Sequence, residues 1–230
     1  MRSNISTSLL IIFLFSIPGI SLCQSGMNAR MQSILKTTTL YVADAYEDVY
    51  GNPYVDEEFK EGEILFKDSS IYNGIGMRLN HNNDQIEFQQ DGQILAIPNP
   101  EDLISVSFGD YQFIYGEYTK GKKVLSSFFE VLVSGKADLL YRRESIVKRE
   151  QLPPSEMSGK NYRDYFRTIE DYYIKREGGP ASLVYKTQKS LLKALTDKKF
   201  ELEKYIDQNN LKIKKEEDLK VLVEYYNSIQ

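Results

Sequence analysis

The chain contains one histidine, one cysteine and no tryptophan among its 230 residues. Zinc sites that are built from several His or Cys side chains are therefore excluded. A Ser-His-Asp triad would have to use His81, and no nucleophile-elbow motif accompanies that residue. A phosphate-binding loop is also missing, because Gly74-Ile75-Gly76 lacks the downstream glycine and lysine. We expect neither enzymatic activity nor a cofactor.

A short apolar run, Leu9 to Ile17, precedes small residues at Ser21 and Cys23. The run is shorter than the ~20 residues of a membrane span, but it is typical of a secretory signal. We expect residues 1–23 to be a signal peptide that is removed, so that the mature protein is exported, carries no cysteine and is not an integral membrane protein. An uncleaved anchor and a lipid-modified Cys23 are the alternatives.

The net charge of −4 is unevenly distributed. Residues 44–102 carry fourteen acidic and three basic side chains, whereas residues 120–215 carry twenty-two basic and thirteen acidic ones. Two oppositely charged surfaces can attract each other within one molecule, or the basic one can face an anionic partner such as lipid headgroups or polysaccharide. Nucleic acid is not an expected partner, because the protein is acidic overall and expected to be exported.

Three hairpins are predicted within residues 62–150. Asp91-Gly92 is a strong two-residue turn signal, and it pairs Phe88 with Leu95 and Ile86 with Ile97. A second turn is predicted at Gly109-Asp110, and it pairs Phe108 with Tyr111, Val106 with Phe113 and Ile104 with Tyr115. A third turn is predicted at Ser134-Gly135-Lys136, and it pairs Val133 with Ala137, Val131 with Leu139 and Phe129 with Tyr141.

The remaining segments complete an α+β fold. Residues 24–61 are predicted to form an irregular N-terminal arm. Residues 151–186 are predicted to form a linker followed by a hairpin about Gly178-Gly179-Pro180. Residues 187–230 have helical spacing, with N-caps predicted at Thr187 and Asp197. The last helix is predicted to bury Leu219, Leu222, Val223 and Tyr226, which follow the spacing i, i+3, i+4 and i+7. The fold class is therefore an antiparallel β-meander, curled into a half-barrel or a sandwich, followed by a small C-terminal helical cap.

Two parts of the chain resemble an uncharacterised family of exported Bacteroidota proteins. The resemblance rests on Met77-Arg78-Leu79-Asn80 with Asp84 to Phe88, and on the closing segment Glu203 to Ile206, Asn210-Leu211, Glu217-Asp218-Leu219 and Tyr225 to Ser228. It covers about residues 50–228, with His81 as a departure from its pattern. It implies the periplasm or cell envelope of a Gram-negative bacterium and assigns no residue roles.

An aromatic and basic stretch is the leading candidate for partner binding. Its members combine rings and cations, which stack on sugars or on a partner protein, although they can equally pack the helical cap against the sheet: Tyr162, Arg163, Tyr165, Phe166, Arg167, Tyr172 and Tyr173. We therefore expect a non-enzymatic binding or scaffold protein whose partner is an envelope protein, a glycan or a lipid.

Two alternatives follow from other residues. A curled sheet can carry an apolar ligand such as lipid, although large inward side chains argue for a filled core. Glu130 and Asp138 are the acids that a glycan hydrolase would use, although outward-facing acids more commonly solvate a sheet. His81 is expected to be a solvated turn residue, and Asn82-Asn83-Asp84 a side-chain-capped turn rather than a calcium site.

Overall fold

The computed structural model describes residues 46, 48–90, 92–153 and 161–229, and the predicted signal peptide lies outside them. The strands are β1 (Val49–Tyr50), β2 (Lys60–Phe66), β3 (Ile71–Asn80), β4 (Gln85–Gln90), β5 (Gln93–Ala96), β6 (Leu103–Phe108), β7 (Tyr111–Lys120), β8 (Lys123–Val133), β9 (Ala137–Gln151), β10 (Tyr162–Arg176) and β11 (Ala181–Val184). The helices are α1 (Gln188–Ala194), α2 (Lys199–Asn209) and α3 (Glu216–Ser228).

The α+β prediction is confirmed, because a large and mainly antiparallel sheet is combined with three helices. The strands follow the order β1-β10-β9-β8-β7-β6-β2-β3-β4-β5. β11 lies off this path and pairs with both β10 and β7. Strands β7 to β11 consequently close into a ring, whereas the sequence predicts a meander curled into a half-barrel or a sandwich.

The ring encloses one buried side chain from each of its five strands: Tyr118, Phe129, Leu140, Tyr173 and Ala181. The three aromatic rings contact one another edge to face, with centroids 5.2 to 5.7 Å apart. This is a favourable arrangement for aromatic pairs. The interior of the ring is therefore filled by protein, as the large inward side chains predict.

Two further cores lie outside the ring. Strands β2 to β8 bury one apolar face, to which Phe88, Phe108 and Phe113 each contribute a buried ring. The helices bury Leu219, Leu222, Val223 and Tyr226 of α3 against β9, β10 and the other helices, as the periodicity of this segment predicts.

The hairpin predictions are confirmed in part. Phe88 pairs with Leu95, and the amide of Ile97 donates to the carbonyl of Ile86, as the Asp91-Gly92 turn predicts. At the second hairpin two of the three predicted pairs form, but the ladder ends at Val106 and Phe113. Ile104 does not pair with Tyr115, and the side chain of Ile104 is 47% exposed.

The third hairpin has a different register from the predicted one. Glu130 rather than Phe129 pairs with Tyr141, and Val131 pairs with Leu140 rather than Leu139, one residue away from the predicted register. A bulge between Val131 and Val133 then places Val133 opposite Leu139 rather than Ala137. The amide and carbonyl of Ala137 bond instead to the side chain of Asn227 in α3. The backbone of Ala137 thus bonds to a side chain ninety residues away, a contact that the local turn residues do not reveal.

One of the two N-cap predictions is confirmed and the other is wrong. The hydroxyl of Thr187 accepts from the amide of Ser190 and caps α1 as predicted. Asp197 does not cap α2, which begins after Lys198 without a side-chain cap. The carboxylate of Asp197 accepts instead from the Tyr226 hydroxyl and pairs with Arg176.

The predicted boundary between residues 150 and 151 falls inside β9. β9 and β10 pair over fifteen positions, and Leu152 donates to Asn161 beyond the last of them. Both ends of the predicted linker therefore belong to one hairpin, and residues 154–160 lie outside the described chain. Of the predicted irregular arm, Val49–Tyr50 forms a short strand and Lys60 already belongs to β2.

Candidate functional site

The long β9–β10 hairpin carries most of the aromatic and basic stretch. β8 stays paired with β9 only as far as Tyr141, whereas β10 follows β9 to Gln151. From Arg142 outward the two strands form a ribbon, to which Val49–Tyr50 adds a short parallel third strand. We call residues 142–151 and 162–171, together with β1, the distal ribbon.

The seven candidate residues do not form one patch. The first five lie on the distal ribbon, whereas Tyr172 and Tyr173 are buried at its base. Tyr173 points into the ring and Tyr172 points toward the helices, because neighbouring side chains of a strand face opposite sides. Tyr162 and Tyr173 lie eleven positions apart along the strand, a distance of about 36 Å. The two buried tyrosines therefore belong to packing and not to a surface.

One face of the distal ribbon holds a stacked arginine and tyrosine. The Arg149 guanidinium donates to both carboxylate oxygens of Asp164, at 2.7 and 2.8 Å. The same guanidinium lies 4.1 Å from the ring centroid of Tyr162, which is 38% exposed. Two hydrogen bonds and a stacked ring thus hold this arginine in one orientation.

The opposite face repeats the arrangement. Arg163 Nε donates to Glu150 Oε1 at 2.9 Å, and its guanidinium lies 4.9 Å from the ring centroid of Tyr50. Tyr50 is 68% exposed. The sequence stretch does not include Tyr50, because this residue reaches the site only through the parallel pairing of β1 with β10. A two-residue strand has too little periodicity to be recognised from the sequence.

The other members of the stretch differ in their environment. Phe166 is half-buried, and its ring contacts Tyr46 edge to face with centroids 5.2 Å apart. Tyr165 is half-buried and Arg167 is exposed. Val147, which pairs with Phe166 across the hairpin, is 43% exposed. Apolar and charged surface therefore alternate along the ribbon.

The backbone of β9 is open on one side of the distal ribbon. The amide of Ser145 donates to the carbonyl of His81, and its carbonyl accepts from Asn82 Nδ2. Because alternate residues of a strand direct their amides and carbonyls to the same side, Val147 and Arg149 continue this edge outward. Among the described residues, no strand pairs with β9 on that side beyond Ser145.

The base of the ribbon is a buried polar junction, which we call the fork. It lies where β8 and β9 separate, and the β3–β4 turn (residues 81–84) fills it. The Phe128 amide donates to the Asp84 carboxylate at 3.3 Å. Arg142 donates from Nε to Ser127 Oγ at 2.7 Å and from Nη1 to Glu144 at 2.9 Å. The side-chain-capped turn expected at these residues is present, because Asn80 Oδ1 accepts from the Asn82 amide at 3.0 Å, and the Asp84 carboxylate is turned inward.

His81 is buried in the fork, and the prediction of a solvated histidine is wrong. The residue is 6% exposed. Burial, together with the positive charges of Arg143 and Arg142, lowers the pKa of His81 to about 3. In the described part of the chain, neither His81 Nε2 nor the neighbouring Ser145 hydroxyl has a hydrogen-bond partner. The imidazole is therefore neutral at ordinary pH. Burial also raises the pKa of Asp84.

A second network stabilises the neighbouring β3–β4 face. Arg78 Nε donates to Glu87 at 2.8 Å, and Asn80 Nδ2 donates to the same carboxylate at 2.9 Å. Tyr54 stacks on the Arg78 guanidinium at 3.9 Å, and burial with the nearby Glu87 charge raises the pKa of Tyr54 to about 12. Glu87 is fully buried. Its charge is matched by arginine, which makes the burial tolerable.

The two acids of the hydrolase hypothesis have different surroundings. The Asp138 carboxylate accepts from the Gly135 amide at 3.0 Å and the Ser134 hydroxyl at 3.3 Å, so it caps the turn between β8 and β9. Glu130 is half-buried, and burial together with the charge of Glu216 raises the pKa of Glu130. Glu216 lies eighty-six residues away, and nothing in the sequence indicates this pairing.

Tyr172 connects Glu216 to the sheet. Its hydroxyl donates to Glu216 Oε2 at 2.6 Å, and burial with this hydrogen bond raises the pKa of Tyr172 well above its ordinary value. Burial alone would raise the pKa of Glu216, but hydrogen bonds from Lys220 and Tyr172 hold it below its usual range. The arrangement anchors the N-terminal turn of α3 to β10.

Neither a metal centre nor a spanning helix is present in the part of the chain that the structure describes. Within those ranges, His, Cys, Asp and Glu form no group of three or more that is placed to bind a metal ion. Within the same residues, no helix has the length and apolar character needed to cross a bilayer.

Comparison with models of protein families, with curated proteins and with solved structures finds no match to this chain. The resemblance to exported Bacteroidota proteins therefore stays an expectation from the sequence.

Proposed function

We propose that this chain is an exported, non-enzymatic binding protein of the cell envelope, and that it contacts a partner protein through the distal ribbon. The observation that carries this proposal is the pair of arginine–tyrosine stacks, one on each face of the ribbon, next to an open strand edge. Export rests on the signal-like segment at the N terminus.

The stacked side chains support protein binding rather than packing. Tyrosine and arginine are enriched where protein interfaces gain most of their affinity. Tyr50 and Tyr162 are 68% and 38% exposed, so their rings are accessible at the surface. Because carboxylates already orient Arg149 and Arg163, little conformational entropy is lost when a partner covers them.

The open edge of β9 supports a specific mode of contact. An extended segment of a partner can add a strand beside Val147 and Arg149 through backbone hydrogen bonds. The flanking residues Lys148 and Arg149 carry charge, which discourages indiscriminate pairing of an exposed edge. The ribbon thus combines a backbone template with aromatic and cationic side chains that select the partner.

Site-specific photo-crosslinking in the native envelope tests the proposal. A photoreactive residue is placed at position 50, 147 or 162, and at exposed control positions 71 and 104 on strands β3 and β6. We expect one partner protein to crosslink at the three ribbon positions. The purified partner then binds the Tyr50→Ala, Tyr162→Ala variant at least about tenfold more weakly than the unsubstituted protein.

Two results would overturn the proposal. One is crosslinking of the same partner with equal yield at positions 71 and 104. The other is an unchanged dissociation constant for the double variant, with the matched Ile71→Ala, Ile104→Ala variant as reference.

Val147→Pro tests the edge separately, since it removes an outward amide that lies on the open side of β9. We expect this substitution to weaken binding while the melting temperature changes little. Lys148→Pro is its control, because the amide of Lys148 faces β10 and its loss destabilises the hairpin.

A further inference from the structure

Two clefts flank helix α1, and both are lined by the same pair of lysines. One cleft, of about 620 Å³, lies between α1 and α2 and includes Leu192 and Lys199. The other, of about 470 Å³, lies between α1 and β11 and includes Leu183. Lys189 and Lys193 line both of them, because residues four apart lie on one face of a helix. The lysines therefore form a row between two partly apolar depressions.

Exposed aromatic rings lie beside this lysine row. Tyr185 lines the second cleft and is 67% exposed. Phe200 follows Lys199, which lines the first cleft, and is 76% exposed. Phe200 has the highest exposure among the large hydrophobic side chains of the described chain. The inward face of α2 is formed by Leu202 and Ile206, so Phe200 is not needed for the helical core.

The charge of this surface is positive. Residues 186–204 contain six lysines and three acids. Two of the acids are engaged, since Asp197 pairs with Arg176 and Glu203 with Lys199. Within the described part of the chain, Lys189 and Lys193 are exposed and have no ion-pair partner. The lysines that line both clefts are therefore available to an anion.

We propose that the surface formed by Tyr185, Lys189, Lys193, Lys199 and Phe200 docks this protein onto an anionic lipid surface. Aromatic rings insert at the level of the headgroups, and lysines beside them are attracted to anionic lipids. Both clefts are open to solvent, whereas a pocket for a single lipid encloses most of its ligand. A surface therefore fits this geometry better than one bound molecule.

None of the five residues of this surface comes from the acidic segment 44–102, which supplies β1 to β5. The distal ribbon is a different surface, so lipid docking does not depend on the partner proposed for it.

Flotation with lipid vesicles tests the inference. The protein is mixed with vesicles of phosphatidylcholine alone, or of phosphatidylcholine with phosphatidylglycerol, at low and at high salt. We expect binding only to the anionic vesicles and its loss at high salt, because exposed charges are screened.

Substitution identifies the docking surface. The Lys189→Gln, Lys193→Gln variant is expected to bind about thirtyfold more weakly, given the contribution of each lysine near an anionic surface. Phe200→Ser is expected to weaken binding about tenfold through loss of the inserted ring. The matched control is Lys122→Gln, Lys123→Gln, which removes two exposed lysines at the start of β8. The control is expected to bind normally.

Five results would overturn the inference. The first four are absence of binding to either vesicle, equal binding to both, equal weakening by the control pair, and self-association through the same residues in analytical ultracentrifugation. Binding of monomeric dodecanoate in solution with loss in the same variants would also overturn it, because the clefts would then hold a single amphiphile. The Lys189→Gln, Lys193→Gln variant is expected to bind the partner of the distal ribbon normally. This result separates the test of lipid docking from the test of the distal ribbon.

Discussion

Asn227 and Ala137 are joined by a reciprocal pair of hydrogen bonds. Asn227 Oδ1 accepts from the Ala137 amide at 2.9 Å, and its Nδ2 donates to the Ala137 carbonyl at 3.0 Å. The side-chain amide thus takes the place that a neighbouring strand residue would have. It satisfies the first residue of β9, where the bulge at Val131 and Val133 has shifted the ladder.

Asn227→Ala is predicted to lower the free energy of unfolding by about 1–3 kcal/mol. The substitution leaves the amide and carbonyl of Ala137 without partners in a partly buried position. Urea unfolding followed by circular dichroism measures the change. Asn209→Ala is the control, because Asn209 is exposed and its amide bonds only within α2. Equal effects of the two substitutions would contradict the prediction.

Gly135→Ala is predicted to be destabilising in the native background and much less so with Asn227→Ala. A Cβ at position 135 would lie 2.4 Å from Asn227 Nδ2, so the side chain would have to move and lose its hydrogen bonds. A double-mutant cycle in urea measures the coupling. If the two changes in unfolding free energy were strictly additive, the contact with Asn227 would not be the cause of the destabilisation by Gly135→Ala.

Gly62→Ala is predicted to cost more than about 3 kcal/mol or to prevent folding. An added Cβ would lie 1.9 Å from the Ser107 carbonyl oxygen and 2.7 Å from Phe108 Cβ, and backbone cannot yield as a side chain does. Gly116→Ala is the matched control, since no atom lies within 4 Å of its Cβ position. Thermal melting compares them, and similar melting temperatures would refute the argument.

The stability of the fold is predicted to depend on pH through His81. The folded pKa is about 3 against an ordinary 6.5, so the unfolded chain takes up the proton first. This contribution is complete above pH 6.5 and declines as the pH falls toward 3, reaching a loss of about 4 kcal/mol. Asp84 opposes the trend, because its raised pKa favours the protonated form in the folded state.

Comparison of the unsubstituted protein with the His81→Gln variant isolates the contribution of His81 to this pH dependence. His81→Gln keeps a polar side chain that does not titrate, so its unfolding free energy is expected to lack the decline between pH 6.5 and 3. Urea titrations across this range at constant ionic strength measure both curves. Parallel curves would mean that another group carries the dependence.

The sequence predicts the elements whose signals are local. The Asp91-Gly92 hairpin, the Thr187 cap and the four buried residues of α3 were all correctly predicted, because a turn type, a cap and a helical period each depend on nearby residues. The sequence also predicts the hairpin about Gly178-Gly179-Pro180, and β10 and β11 form it.

The errors concern contacts between distant parts of the chain. His81 is buried because a turn at residues 81–84 inserts between β8 and β9, more than forty residues further on. The sequence does not show that the candidate stretch divides into a surface part and a buried part. Alternation alone does not reveal that both faces are covered at Tyr172 and Tyr173 while both are accessible near Tyr162.

The closure of the ring by β11 has a consequence for synthesis of the chain. β11 pairs with β7, whose residues are synthesised about sixty positions earlier. β7 and β10 therefore each have an unpaired edge until Ala181 and Ser182 have been synthesised. A nascent or truncated polypeptide that stops before these residues exposes two strand edges that invite aggregation. Correct maturation therefore waits for the last quarter of the molecule.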